Sequence, residues 1–134
     1  MHYSLLLDHI SQENIITRCF RGNLISGTDG NDMIIGILDI ETINGDAVND
    51  ILNGGIGSDH ILSKTDNDVI VGGFDDGYLV HNEGNDKLHG IEGYDNLIGR
   101  AGTDYFVCGV GTDVVLDFSV SENDDNAGGC EEIL

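Results

Sequence analysis

Proline and tryptophan are absent from this 134-residue chain, and bases are scarce, with 5 Lys and Arg against 25 Asp and Glu and a formal charge of -20. The shortage of cations argues against nucleic acid as a partner, because phosphates would be repelled. Aromatic side chains make up only 6% of the chain, too few for a thick globular core. No apolar run approaches the roughly 20 residues of a membrane-spanning helix. Leu5-Leu6-Leu7 has no basic stretch before it, and Asp8 and His9 cut it short, so no secretory leader is read there. The motifs H-E-x-x-H and G-x-S-x-G and a phosphate-binding loop are also missing, so no enzymatic role is expected.

What is present is strictly ordered. Glycine is plentiful, at 20 residues, and 40% of the chain is hydrophobic. An acid stands at nine of the ten positions of a nine-residue frame between residues 32 and 113: Asp32, Glu41, Asp50, Asp59, Asp68, Asp86, Asp95, Asp104 and Asp113. Gly77 is the exception. Two residues after each frame position comes a large apolar side chain: Ile34, Ile43, Leu52, Ile61, Ile70, Leu79, Leu88, Leu97, Phe106 and Val115. Such a period means one small unit stacked on copies of itself. A charge this lopsided favours disorder in an aperiodic chain. Here the repeat region is expected to be ordered with a counter-cation and expanded by self-repulsion without one.

The unit is clearest at Gly54-Gly55-Ile56-Gly57-Ser58-Asp59-His60-Ile61-Leu62, which fits G-G-x-G-x-D-x-U-x at every fixed position. Other blocks begin at Gly27, Gly36, Gly45, Ser63, Gly72, His81, Gly90, Gly99 and Cys108. Positions 1 to 6 are read as a tight turn, in which glycine permits backbone conformations that side chains disfavour and lets carbonyl oxygens crowd around an ion. Positions 7 to 9 are read as a short strand with position 8 inward. Positions 7 and 9 then give a mildly apolar exterior.

Over residues 27–116 these units resemble the RTX, or haemolysin-type calcium-binding, repeat family. The resemblance implies an all-β fold: a right-handed parallel β-roll solenoid of about ten nonapeptide repeats, paired into five 18-residue coils. Coils would stack at strand spacing, about 4.8 Å. It also implies several Ca²⁺ ions between stacked turns. Their ligands would be the nine frame acids with backbone carbonyls of the turns, such as those of Gly27, Gly45, Gly54, Gly55, Gly57, Gly72, Gly90 and Gly99. Calcium takes six to eight hard oxygen ligands. The bland alternative is a solvated acidic face. Coupling of each acid to turn glycines and to an apolar position argues against it.

Two units per coil place alternate turns above one another. One edge then carries Asp32, Asp50, Asp68, Asp86 and Asp104, preceded by Asn31, Asn49, Asn67, Asn85 and Thr103. It is expected to hold a continuous row of ions. The other edge carries Glu41, Asp59, Gly77, Asp95 and Asp113, and is expected to be weaker around Gly77, with Asp75 and Asp76 as partial compensation. Asp39 and Val48 replace the position-4 glycine, and Val48 should either remodel its turn or weaken its site. The Asn column is read as backbone capping within each turn. Its functional alternative is ice binding, against which the position-3 residues argue, since they form no Thr array. The five histidines, His2, His9, His60, His81 and His89, share no ligand spacing and are read as surface residues.

Residues 1–26 are read as an N-terminal cap with a degenerate first turn, in which residues 4–16 form a short helix or an irregular segment. Asn23 and Ile25 there echo the frame. Residues 117–134 are read as a loose acidic C-terminal cap, with the frame lost after Leu116. The stretch from Asp104 to Gly109, with Phe118 and Cys130, resembles the C-terminal closure of some secreted members of the family. That likeness implies a Cys108–Cys130 disulfide pinning the tail, leaving Cys19 over; three reduced thiols remain the alternative. An extracellular or cell-surface protein with calcium-coupled folding is expected. Its role would be a structural subunit assembling head to tail into filaments, or the accessory module of a type I-secreted toxin, protease or adhesin.

Overall fold

The computed structural model describes residues 14–17 and 24–134. His2, His9, Cys19, Asn23 and most of the expected N-terminal helix or irregular segment lie outside the described residues. In chain order the strands are β1 (Asn14–Thr17), β2 (Leu24–Ser26), β3 (Asp32–Ile35), β4 (Thr42–Asp46), β5 (Ile51–Ile56), β6 (His60–Lys64) and β7 (Val69–Phe74). They continue as β8 (Tyr78–Val80), β9 (Lys87–Gly93), β10 (Asn96–Ile98), β11 (Tyr105–Gly111), β12 (Val114–Val115), β13 (Asp125–Asn126) and β14 (Glu132–Ile133).

Odd and even strands separate into two parallel sheets of seven, β1-β3-β5-β7-β9-β11-β13 and β14-β12-β10-β8-β6-β4-β2. The chain alternates between sheets, so each strand pairs with the one a full coil away. Ile34 pairs with Leu52, Leu52 with Ile70, Ile70 with Leu88 and Leu88 with Phe106 in one sheet. Ile25, Ile43, Ile61, Leu79, Leu97 and Val115 form the matching file in the other. All ten position-8 side chains are fully buried between the sheets, and Ile25 joins them. Position 7 faces outward, as at Met33, Ile51 and Tyr78. Val80, at position 9, is buried and departs from the apolar-exterior expectation.

Solenoid pairing extends beyond residues 27 and 116, making about six coils rather than five. Asn14 pairs with Asp32, so the end of the expected helical or irregular segment is strand. At the other end Val114 pairs with Glu132, while Tyr105 pairs with Asp125. A 3-10 turn over Val120–Glu122 takes up the two extra residues of the second step. The tail is therefore a last, imperfect coil. Phe118 packs on Phe106 with ring centroids 6.1 Å apart, and a disulfide joins Cys108 to Cys130 with Cα atoms 5.0 Å apart.

Candidate metal centre

Side chains alternate in and out along an extended strand. In this chain the alternation starts before the strand and runs past it. Position 6 points in, then position 8, then position 1 of the next unit. The nine frame acids are consequently inside the roll, each at most 3% exposed. A solvated acidic face is ruled out by that burial. Buried charges demand partners, since an isolated carboxylate away from water is heavily penalised.

One oxygen of seven of the nine acids, all but Asp32 and Glu41, accepts a backbone N–H of the preceding coil. The N–H groups of Asp32, Asp50, Asp68 and Asp86 donate to Oδ1 of Asp50, Asp68, Asp86 and Asp104, at 2.7 to 3.0 Å. On the other edge Glu41 N–H donates to Asp59 Oδ1 and Asp95 N–H to Asp113 Oδ1, both at 2.8 Å. Gly77 N–H still donates to Asp95 Oδ1 at 2.6 Å. Having no side chain, Gly77 offers Asp59 nothing in return, so this column is broken as the sequence implies. Asp76 does not fill the gap, because its Oδ1 accepts the N–H of Tyr94 at 2.9 Å.

The second oxygen is the one available to an ion. Among the described residues, no hydrogen-bond donor reaches Oδ2 of Asp50, Asp59, Asp95, Asp104 or Asp113, nor either carboxylate oxygen of Glu41, although all are buried. Asp32 is satisfied locally, by the N–H and hydroxyl of Thr28 on Oδ2 at 2.5 and 3.0 Å. The position-1 glycines let these oxygens press against the backbone where a side chain would collide with them. A Cβ on Gly54 would sit 2.6 Å from the Gly72 carbonyl oxygen and against Asp59 Oδ2. A Cβ on Gly27 would sit 2.7 Å from Asp32 Oδ2 and against the Gly45 carbonyl oxygen. Orphaned carboxylate oxygens beside crowded carbonyls form an all-oxygen donor set, which fits calcium.

Without an ion, burial pushes these carboxyls up. Glu41 and Asp50 rise to about 7. Asp95 and Asp104 rise to about 6, and Asp59 and Asp113 rise for the same reason. Repulsion from neighbouring carboxylates adds to burial, most directly where Glu41 meets Asp59.

The turns need left-handed backbone at positions 2 and 4, and many non-glycine residues supply it. Asp39 has φ 77° and Val48 φ 63°, so the Val48 turn is strained rather than remodelled. Asp46, Lys64, Asp66, Asp75, Ile91 and Arg100 also have positive φ. Asn and Asp tolerate this region far better than β-branched residues. At Gly57 the glycine is obligatory for another reason, since a Cβ would lie 1.5 Å from the Asp39 carbonyl oxygen.

The Asn column caps backbone between turns rather than within them. The N–H groups of Asn67, Asn85 and Thr103 donate to Oδ1 of Asn49, Asn67 and Asn85, at 2.7 to 2.9 Å. The sense is opposite to that of the Asp column. Successive coils are thus laced in both directions along one edge.

The largest departure from expectation is His81, which is fully buried rather than on the surface. It occupies inward position 1, where most units have glycine. Its Nε2 lies 3.0 Å from Asp68 Oδ2, and its Nδ1 contacts Asp86 Oδ2. Burial would lower its pKa, but contacts with Asp68 and Asp86 outweigh that and hold it at about 9. The first edge is therefore not a uniform row, because a nitrogen base fills one interval. The stride of in-facing positions from 6 to 8 to 1 is the signal that would have placed His81 inside.

Two further acids complete the columns. Asp104 N–H donates to Asp124 Oδ1 at 2.9 Å, and Asp113 N–H donates to Glu131 Oε2 at 2.7 Å. Glu131 stands 18 residues after Asp113, so the frame itself points to it. Asp124 stands 20 residues after Asp104, and the 3-10 turn hides it from a fixed period.

The model of the RTX calcium-binding nonapeptide repeat matches the chain in four copies, over residues 21–36, 44–79 and 82–115. No curated protein and no solved structure matches. The family match spans well over half of the chain and falls on the coils that carry the acid columns. With stacked parallel coils, inward acids at the sixth position and oxygen-lined turns, the chain belongs to the RTX calcium-binding nonapeptide repeat family.

Proposed function

We propose that this β-roll binds several calcium ions along its two edges, and that binding drives its folding. The observation carrying this reading is the file of buried carboxylate oxygens that no donor among the described residues reaches. Each ion would neutralise carboxylates that otherwise repel, and binding only the folded state pulls the chain into it. Equilibrium dialysis at pH 7 tests the reading. Several calcium ions per chain at millimolar calcium are expected, and none bound would overturn it.

An extracellular or cell-surface setting follows, because calcium is abundant outside cells and scarce in the cytosol. The Cys108–Cys130 disulfide favours the same oxidising setting. Within it the protein acts as a non-enzymatic structural subunit, its parallel coils meeting those of other copies head to tail. Exposed apolar side chains at position 3 of the second edge, Leu38, Ile56, Phe74 and Val110, support self-association. Electron microscopy of the calcium-loaded protein should show filaments, and only monomers at high concentration would sink the structural role. The second reading, an accessory calcium module of a type I-secreted toxin, protease or adhesin, draws support from the closed C-terminal coil. There Phe118 and the disulfide cover the end of the core.

A further inference from the structure

We propose that His81, Asp68 and Asp86 form a site for a small borderline divalent cation of the zinc or cobalt type, set inside the calcium-binding column. This inference rests on the calcium reading for the rest of the roll. The three residues are fully or almost fully buried, and each offers a ligand atom, all within 4.8 Å of one another. His81 Nε2 and Asp68 Oδ2 share a hydrogen bond of 3.0 Å, and an ion at about 2.0–2.1 Å from each would displace its proton and part them to roughly 3.3 Å, a small movement. Asp86, on the far ring nitrogen, has the place of the carboxylate that orients a metal-bound imidazole and raises its basicity.

A second observation points the same way. Ser63 occupies the same inward position-1 slot one coil earlier. It is fully buried, and among the described residues its hydroxyl has no hydrogen-bond partner. Two successive position-1 slots on this edge therefore carry polar side chains where glycine would leave space. Calcium prefers oxygen donors and high coordination. An imidazole filling the interval removes room and substitutes nitrogen, which suits zinc, cobalt or nickel. The site thus discriminates against the ion that the rest of the column takes.

The test uses the untagged 134-residue chain in saturating calcium, titrated with Co²⁺. Circular dichroism first records calcium-induced β-structure in the wild type and in His81→Gly, which restores the usual position-1 residue. Expected are visible d–d absorption saturating at one Co²⁺ per chain in the wild type and at least about a 100-fold loss of Co²⁺ affinity in His81→Gly. Asp86→Asn should lose about 10- to 100-fold, as for an outer-shell partner. X-ray absorption at the cobalt edge of the wild type should show an imidazole nitrogen ligand, a readout independent of how the variants fold. No cobalt bands in the calcium-folded wild type, no nitrogen ligand, or bands that survive His81→Gly would overturn the site. Absence of calcium-induced β-structure would instead overturn the calcium reading.

Discussion

At the scale of single residues, two of the side chains that stand where the repeat asks for glycine, Val48 and His81, have different consequences. Val48 holds φ 63°, a region β-branched residues strongly disfavour. Such strain costs on the order of 1–3 kcal/mol, partly offset in a glycine variant by greater freedom of the unfolded chain. Val48→Gly should therefore stabilise the calcium-loaded roll by about 1 kcal/mol, read from thermal unfolding at saturating calcium. An unchanged or lower melting temperature would contradict the strain. His81 sits at position 1 instead, where no positive φ is needed and an inward side chain can find partners.

Titration also belongs to this scale. Glu41 and Asp50 rise to about 7, and Asp95 and Asp104 to about 6, in the ion-free fold, chiefly through burial. A raised acid means that the folded state binds more protons than the unfolded one. Their stabilising contribution is complete below the ordinary values of 3.8 to 4.5 and disappears as pH rises through about 6 to 7. Ion-free protein should accordingly have more β-structure near pH 4.5 than near pH 8. Calcium affinity should rise over the same interval, with protons released on binding. Circular dichroism in chelator checks the first part and calorimetry in two buffers the second. An ion-free chain that gains structure towards pH 8 would refute it.

At the scale of strands and turns, the two edges are unequal, though not only in the way the acid frame suggests. Gly77 breaks the second column, and His81 occupies one interval of the first. Asp50 has acids above and below it and an unmatched oxygen, whereas Asp95 has Gly77 on one side. Asp50→Ala should raise the calcium midpoint for folding more than Asp95→Ala, and equal shifts would remove the asymmetry. The closing coil gives a second prediction. The Cys108–Cys130 bridge closes a loop of 22 residues, which chain entropy values at about 3 kcal/mol. Cys130→Ser should lower stability by about that much, with amide exchange accelerated first in β13 and β14. Uniform acceleration across all coils would show that the last coil has no separate stability.

Much of this architecture was legible from the nine-residue frame alone. The frame gave the coil length, the inward file from Ile34 to Val115 and the break at Gly77. The direction of the acids was harder to read, because position 6 precedes the strand and the in-out alternation had to be carried back into the turn. The same alternation carried forward would have buried Ser63 and His81. Lacing of Asn67 to Asn49, and of Asp50 to Asp68, links residues a full coil apart and needs the exact stagger of the coils. Asp124 escaped because two inserted residues move it off the period.

At the scale of the whole molecule, a core one apolar residue thick per unit is combined with an interior column of carboxylates. The protein carries a formal charge of -20, and among the described residues Asp50, Asp59, Asp95, Asp104 and Asp113 each have one oxygen on backbone and one without a donor. Such a roll should be expanded without ions at neutral pH and compact with them. Magnesium should substitute poorly, since it keeps its water and demands a tighter octahedral shell. The most direct measurement is far-UV circular dichroism at pH 7 during titration with calcium, with magnesium titrated in parallel. The account predicts a cooperative gain of β-signal by millimolar calcium and little with magnesium. A chain already fully β-structured in chelator, or one that gains no β-signal up to millimolar calcium, would contradict it.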